Sequence, residues 1–513
     1  MRFHRRLLIA AASVVICTTA NADIVRLNRA AIDSSAIISP EIYGQFAEHL
    51  GSCIYGGLWV GTQSDIPNTN GYRNDVLKAL RDLKVPVIRW PGGCFADEYH
   101  WRDGIGPQKD RPKQVNNNWG GTVEDNSFGT HEFFNLCELI GCEPYLSGNV
   151  GSGTVEELAK WVEYITAAEG PMAELRKANG REKPWKLKYL GIGNESWGCG
   201  GNFTPQYYSD VYRRYQTYCR DYSGNVLFKI ASGASDYDYN WTDIVMRNAS
   251  RYMDGISLHY YTVTGWNGSK GSATKFSPEQ YYWIIGKCLE IEPVIKRHEA
   301  IMDVYDSSRR IALLVDEWGT WWDVEPGTNP GHLFQQNTMR DAIVAALTLN
   351  VFQRHTDRVR MANIAQVANV LQSMVLTRGK QMVLTPTYYV FRMYAPHMGA
   401  IHIPLSVESP VADMGGGRKA ALVQATASQK AGKTTISLTN VSLNRDADLE
   451  IATGLKGARI VNAEILTSTA INDHNDFGAA EKVSPHKFKG TKMNGETLRL
   501  KLPARSILCI TLE

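Results

Sequence analysis

Several common chemistries need patterns that this chain lacks. Its nine cysteines include Cys17 near the start; the other eight are scattered and form no CxxC pair, which argues against a zinc site. No GxGxxG follows the first apolar run, which weakens an open, doubly wound dinucleotide-binding sheet. "DMGGGRK" at 413–419 reads as a turn, because it lacks the spacing of a phosphate cradle. A net charge of +3 over 513 residues, with no basic stripe carrying interleaved aromatics, points away from nucleic acid. Beyond the N-terminus no apolar run is long enough to span a membrane. There is no low-complexity linker and no internal repeat beyond a strand–helix unit. "DYDYN" at 236–240 matches a calcium loop only loosely and reads as a solvated loop.

The chain is rich in aromatics, with 13 Trp and 24 Tyr. Most belong to the core, and a surplus is what sugar-stacking sites use, since a flat apolar ring face fits the C–H face of a sugar. The N-terminus has the succession of a signal peptide: basic "MRFHRR", apolar "LLIAAASVVICTTA", then Ala20-Asn21-Ala22 before Asp23. An uncleaved anchor is the alternative. Residues 1–22 are therefore expected to be removed, giving an exported protein, periplasmic or secreted, with no membrane attachment afterwards. Export permits disulfides but does not fix their pairing. Cys53, Cys94 and Cys199 each follow a strand end and are expected to line the site rather than cross-link the protein.

Between Ile42 and Val370 short apolar runs alternate with amphipathic segments. The runs are "IYGQFAEHLG", "VPVIRWPGG", "EPYLSGNVG", "KYLGIGNESW", "VLFKIASGA", "GISLHYY", "IALLVDEW" and "RMANIAQVANV". They are rich in Val, Ile and Leu without clean alternation, as strands buried on both faces are. Thr154-Val-Glu-Glu157 and Ser277-Pro-Glu-Gln280 carry helix-start signatures, and "RNDVLKALRDL" sets Val76, Leu77, Leu80 and Leu83 on one face. The fold class is α/β: a (β/α)₈ TIM barrel over 42–399, followed by an antiparallel β-sandwich over 400–513. "DIVRLN", within 23–41, is expected to join that sandwich.

In such a barrel the chemistry sits at the C-terminal ends of the strands. Those ends carry Glu48, Arg89, Asn149, Glu195, His259, Tyr261, Glu317 and Gln366. Glu195 ends the fourth run and Glu317 the seventh, across the mouth from one another. Two carboxyls about 5–5.5 Å apart are what retaining glycoside hydrolysis uses, one as nucleophile and one as acid/base. Arg89 is expected to hold Glu317 ionised, and Glu317 to favour the proton on Glu195. His259 has a positioning role. Of the neighbours Tyr260 and Tyr261, strand alternation turns one inward, and Tyr261 shares a face with His259. No metal or cofactor is needed, because the pair supplies nucleophile and acid.

"IYGQFAEHLG", "RWPGGCFADEYHWRDGIGP", "GIGNESWG", "SLHYY", "VDEWGTWW", "IAQVANVL" and, near the C-terminus, "INDHNDFGAAEKVSP" resemble in that order the α-L-arabinofuranosidases of glycoside hydrolase family 51. The resemblance implies a retaining exo-enzyme that removes terminal L-arabinofuranose from arabinan, arabinoxylan or their fragments. It implies Glu195 as acid/base and Glu317 as nucleophile, with Glu48 on sugar hydroxyls and Asn194 on the 2-hydroxyl. Tyr261 would support the nucleophile, Gln366 would bind the ring, and Cys94 would contact sugar as a weak thiol donor. Trp119 and Trp321 would wall the leaving-group sugar, and assembly into a homo-oligomer, a hexamer, is implied as well. Two rival readings keep to carbohydrate. One is an endo-glucanase or β-xylosidase on the same scaffold; the other is a non-catalytic carbohydrate-binding protein.

Overall fold

Eight of the apolar runs become the parallel strands of a closed barrel: Gly44–Phe46 (β1), Val87–Trp90 (β2), Glu143–Gly148 (β3), Tyr189–Ile192 (β4), Phe228–Ser235 (β5), Gly255–Thr262 (β6), Ala312–Thr320 (β7) and Val359–Ala365 (β8). The computed structural model describes residues 22–513, so the leader expected over 1–22 lies, apart from Ala22, outside the described residues. Strand neighbours follow chain order around the barrel, and β8 closes on β1. Helices on the outside cover the strands' outward faces. Val76, Leu77, Leu80 and Leu83 are all buried beneath the helix Asn74–Leu83. Ser277 and Gln280 exchange both bonds of a capping box. Thr154 makes only its own half, accepting from the Glu157 amide, because the Glu157 carboxylate turns instead to His100 Nδ1 at 2.9 Å.

Beyond the barrel, two sheets face each other around an apolar core that includes Val25, Ile436, Leu438, Ile451, Leu498 and Ile510. The strand Asp23–Leu27 sits inside one of these sheets, antiparallel to Leu405–Glu408 and parallel to Ala447–Ala452. That parallel pair departs from the wholly antiparallel expectation. A strand arriving from the other end of the chain is not bound to its neighbour by a hairpin and can enter in either direction. The helix Met339–Arg354 is buried around most of its surface, since the sandwich lies on the face that the barrel leaves uncovered. "INDHNDFGAAEKVSP" holds this helix from its start: the carbonyls of Ile471 and Asp473 accept the otherwise unpaired amides of Arg340 and Met339. Among the described residues no helix is long and apolar enough to cross a membrane.

Register shifts shape the mouth. The β6–β7 register shifts between Ser257 and His259, and the β7–β8 register shifts between Val315 and Trp318. A bulge breaks the alternation of side chains. Asp316 and Glu317, consecutive in β7, therefore both approach the same guanidinium: Arg89 Nε is 3.6 Å from Asp316 Oδ2, and Arg89 Nη1 is 2.8 Å from Glu317 Oε1.

Candidate active site

At the end of β4 the chain turns sharply. Glu195 has φ of 39°, a left-handed conformation that costs a residue bearing a Cβ of order 1–3 kcal/mol. The following loop folds back underneath, and the amides of Gly198 and Gly200 donate to the Glu195 carbonyl. A Cβ on Gly200 would lie 1.8 Å from the Asn194 carbonyl oxygen, so the loop after the strand needs glycine there. The strain aims the Glu195 side chain across the mouth.

Glu317 is held at both oxygens. Oε1 accepts from Arg89 Nη1 at 2.8 Å, and Oε2 accepts from Tyr261 Oη at 2.9 Å. The neighbouring Tyr260 points outward and donates to the Lys287 carbonyl. Glu195 Oε1 lies 2.8 Å from His259 Nδ1, and the same nitrogen is 3.5 Å from Glu317 Oε2. Carboxylate oxygens of Glu195 and Glu317 are within 4.8 Å of one another. That spacing is far below the ~6.5–9.5 Å that an inverting pair requires.

Burial acts on Glu317, His259 and Arg89. It raises the pKa of Glu317, against which His259 and Arg89 both pull down. Arg89 lowers it by charge and hydrogen bonding as expected, but the net direction is upward, because desolvation outweighs the cations. For His259 burial lowers the pKa, but Glu317, Asp316 and Glu195 outweigh it and hold the ring up at about 10. Arg89 keeps its charge for the same reason, with Asp316 and Glu317 overcoming its burial. Glu195, His259 and Glu317 each place one possible ligand atom within 4.8 Å of the others.

Glu195 and Glu317 line a cavity of about 500 Å³. Its floor is deep, with Glu48 2% and Glu317 5% exposed, whereas Trp266 at the rim is 49% exposed. Glu48 takes a hydrogen bond from the Phe95 amide, one from Trp119 Nε1 at 2.9 Å and one from Gln366 Nε2 at 3.1 Å. Burial, then Glu317, pushes its carboxyl up to about 8. Trp119 is thus tied to the floor as well as lining the wall. Trp321 stands edge-on to Tyr261 and to Trp266 at the rim.

Arg89, Asn194 and His259 are buried behind this wall rather than forming it. Asn194 Oδ1 is occupied by Arg89 Nη2, and its Nδ2 lies 3.9 Å from Cys199 Sγ. Cys94 does reach the cavity, but as half of a disulfide with Cys199. This corrects two expectations: the pair cross-links the loops after β2 and β4, and Cys94 has no thiol hydrogen with which to contact sugar. The two sulfurs lie 4.0 and 3.6 Å from Glu195 Oε2. Cys53 is buried away from the cavity lining.

Several residues at the site escaped sequence reasoning. Asp316 and Tyr145 lie beneath the carboxylates, and Trp197, Trp266 and Asp236 line the cavity. Trp197 lies in "GIGNESWG", and Asp236 opens "DYDYN", whose reading as a solvated loop is corrected at this residue: it is partly buried and lines the cavity.

Comparison with known proteins accounts for this arrangement. A domain described as "Alpha-L-arabinofuranosidase 1 domain" matches residues 79–273, and "Alpha-L-arabinofuranosidase C-terminal domain" matches 316–506. A protein of Bacteroides ovatus named intracellular exo-alpha-L-arabinofuranosidase is 64% identical over 479 residues, 93% of each chain. The chain belongs to the α-L-arabinofuranosidases of glycoside hydrolase family 51. The crystal structure of the family 51 arabinofuranosidase from Xanthomonas axonopodis pv. citri is 48% identical, with a TM-score of 0.93 over 96% of this chain and 100% of that one. The arabinose complex of the Thermotoga maritima α-L-arabinofuranosidase is 28% identical, with a TM-score of 0.81 over 96% of this chain and 99% of that one.

The arabinofuranosidase is a glycoside hydrolase, and an arabinose-containing glycan is its substrate. The expectation of export is overturned by the Bacteroides ovatus relative, whose name is intracellular. The basic, apolar and small-residue succession of 1–22 is a compositional pattern, and within the described residues nothing ties it to a use.

Proposed function

We propose that this arabinofuranosidase is a retaining exo-enzyme acting on terminal, non-reducing α-L-arabinofuranosyl residues of arabinan, arabinoxylan and their fragments. Glu317 is the nucleophile and Glu195 the acid/base. The observation that carries the reading is the approach of the two carboxylates to within 4.8 Å at the floor of one cavity.

In the first step Glu317 attacks the anomeric carbon. The bond to the leaving oxygen breaks, and that oxygen takes the proton of Glu195. Arg89 and Tyr261 keep the attacking carboxylate in line. In the second step water attacks the same carbon, gives its proton to Glu195, and Glu317 departs as a carboxylate. Glu48 and Gln366 suit the sugar hydroxyls, the rim of Trp119 and Trp321 suits the leaving sugar, and Asn194, behind the wall, acts on the 2-hydroxyl only if its amide turns into the cavity. A deep floor with an aromatic rim favours end-cutting over the groove that an endo-glucanase needs. The domain division at 42–399 and 400–513, and assembly as a homo-oligomer with a hexamer expected by resemblance, belong to the same reading. Sedimentation tests the assembly.

Azide tests the roles. With Glu195→Ala it should capture the glycosyl-enzyme and give the α-azide; with Glu317→Ala it should replace the nucleophile and give the β-azide. The same anomer from both variants would refute the assignment.

A further inference from the structure

Asp316 is a buried carboxylate, 1% exposed, and it does not line the cavity. Burying an ionised carboxylate is costly unless its partners repay it. Its Oδ2 accepts from Tyr145 Oη at 2.6 Å. Arg89 lies nearby, with Nε at 3.6 Å, but Nε already donates to Ser147 Oγ at 3.1 Å and Nη1 serves Glu317. The nearest group to Oδ1 is His259, whose Nε2 approaches to 3.2 Å as an ion-pair contact rather than an aligned hydrogen bond. The other ring nitrogen, Nδ1, faces Glu195 Oε1 at 2.8 Å. Tyr145, Asp316, His259 and Glu195 thus form a continuous chain running from beneath the barrel floor to the cavity.

An imidazolium between two carboxylates has no lone pair with which to take a proton; it bonds Glu195 through Nδ1 and meets Asp316 as an ion pair at Nε2. It is a fixed donor. Its bond occupies Glu195 Oε1, while Oε2 lies on the side of the Cys94–Cys199 sulfurs that border the cavity. We propose that Asp316 is a positioning residue for the acid/base: with Tyr145 it pins His259 so that Glu195 Oε1 is held and Oε2 is the oxygen that exchanges the catalytic proton. The proposal rests on Glu195 being the acid/base. His259 then keeps its proton through both steps. It opposes the negative charge that appears on Glu195 once the proton has left for the leaving oxygen, and it releases Glu195 unchanged when water returns a proton.

Leaving-group dependence separates this role from a structural one. A poor leaving group needs the proton from Glu195, whereas 2,4-dinitrophenolate departs without it. Asp316→Asn is expected to lower kcat/KM roughly tenfold on 4-methoxyphenyl α-L-arabinofuranoside and arabinobiose, and less than about threefold on the 2,4-dinitrophenyl substrate, when glycosylation limits the rate. Combined with His259→Asn it should cost little more than either change alone, because both act through one bond. Tyr145→Phe keeps every charge, and about a twofold loss with the same selectivity is expected; it decides the matter if Asp316→Asn does not fold. Equal losses on all leaving groups would overturn the proposal and assign Asp316 to the nucleophile through Arg89. No loss in either variant would overturn it outright. Glu195→Ala is the control. If that variant lacks the selectivity, the acid/base assignment itself has failed; if it has the selectivity and Asp316→Asn does not, only the Asp316 proposal falls.

Discussion

In the sandwich strand Thr497–Leu502, Leu498, Leu500 and Leu502 are buried while Arg499 and Lys501 face water. At the barrel mouth Arg89, Asp316, Glu317, His259 and Glu48 are all buried side by side. The strand follows the period-two rule: its leucines exclude water, and Arg499 and Lys501 pair with Glu450 and Asp446 at the surface. The second region keeps charged groups out of water, bends Glu195 into a left-handed conformation and breaks the register of three strand pairs. Stability comes from apolar burial that is cheap to arrange; chemistry needs charges whose desolvation is offset only by one another. Mutations in the two regions should therefore separate activity from stability.

The largest effect is expected at the mouth. Glu317→Gln should lower the rate on aryl arabinofuranosides by on the order of 10⁴-fold, with a melting temperature within a few degrees of the parent. Leu498→Ala, on the sandwich side, should do the reverse: a stability loss of about 2–5 kcal/mol in denaturant melts, with kcat at 25 °C nearly unchanged. A large activity loss from Leu498→Ala would show that the two regions are not separable. Opening the Cys94–Cys199 bridge lies between these extremes, since it ties the Glu195 loop to the loop after β2. A reductant should lower kcat/KM roughly tenfold, reversibly, through loss of Glu195 positioning; full activity with the thiols titrated free would contradict this.

The smallest effect concerns Glu48. Burial, then Glu317, lifts its folded-state pKa from an ordinary 4.5 to about 8. A raised carboxyl contributes stability that is complete below the ordinary value and is lost as pH rises toward and through 8. Glu48→Gln has no such loss. Its melting temperature should gain on the parent's as pH goes from 5 to 8.5, while its KM rises. A difference in melting temperature that does not vary with pH would remove the premise.

The barrel was legible because strands buried on both faces leave runs such as "IALLVDEW", and the approach of Glu195 to Glu317 because both end such runs. Tyr261 was separable from Tyr260 by strand alternation alone, and Tyr261 is the one that meets Glu317. Asp316 was hidden by that same alternation, which would turn it away from Glu317's neighbours; the register shift beside it cancels the rule. The Cys94–Cys199 bridge joins residues 105 apart, on loops whose approach only the closed barrel fixes. Trp119 was visible as an aromatic near the site, but its bond to Glu48 depends on the path of a loop. The leader pattern was the clearest feature of the N-terminus, and the name of the Bacteroides ovatus relative points away from export.

The central claim is that Glu195 and Glu317 act from opposite sides of one anomeric carbon in two successive displacements. Hydrolysis of an aryl α-L-arabinofuranoside in aqueous methanol, followed by proton NMR before the methyl glycoside can be hydrolysed, tests it most directly. The expected product is methyl α-L-arabinofuranoside; the β anomer as first product would mean a single displacement and would contradict the account.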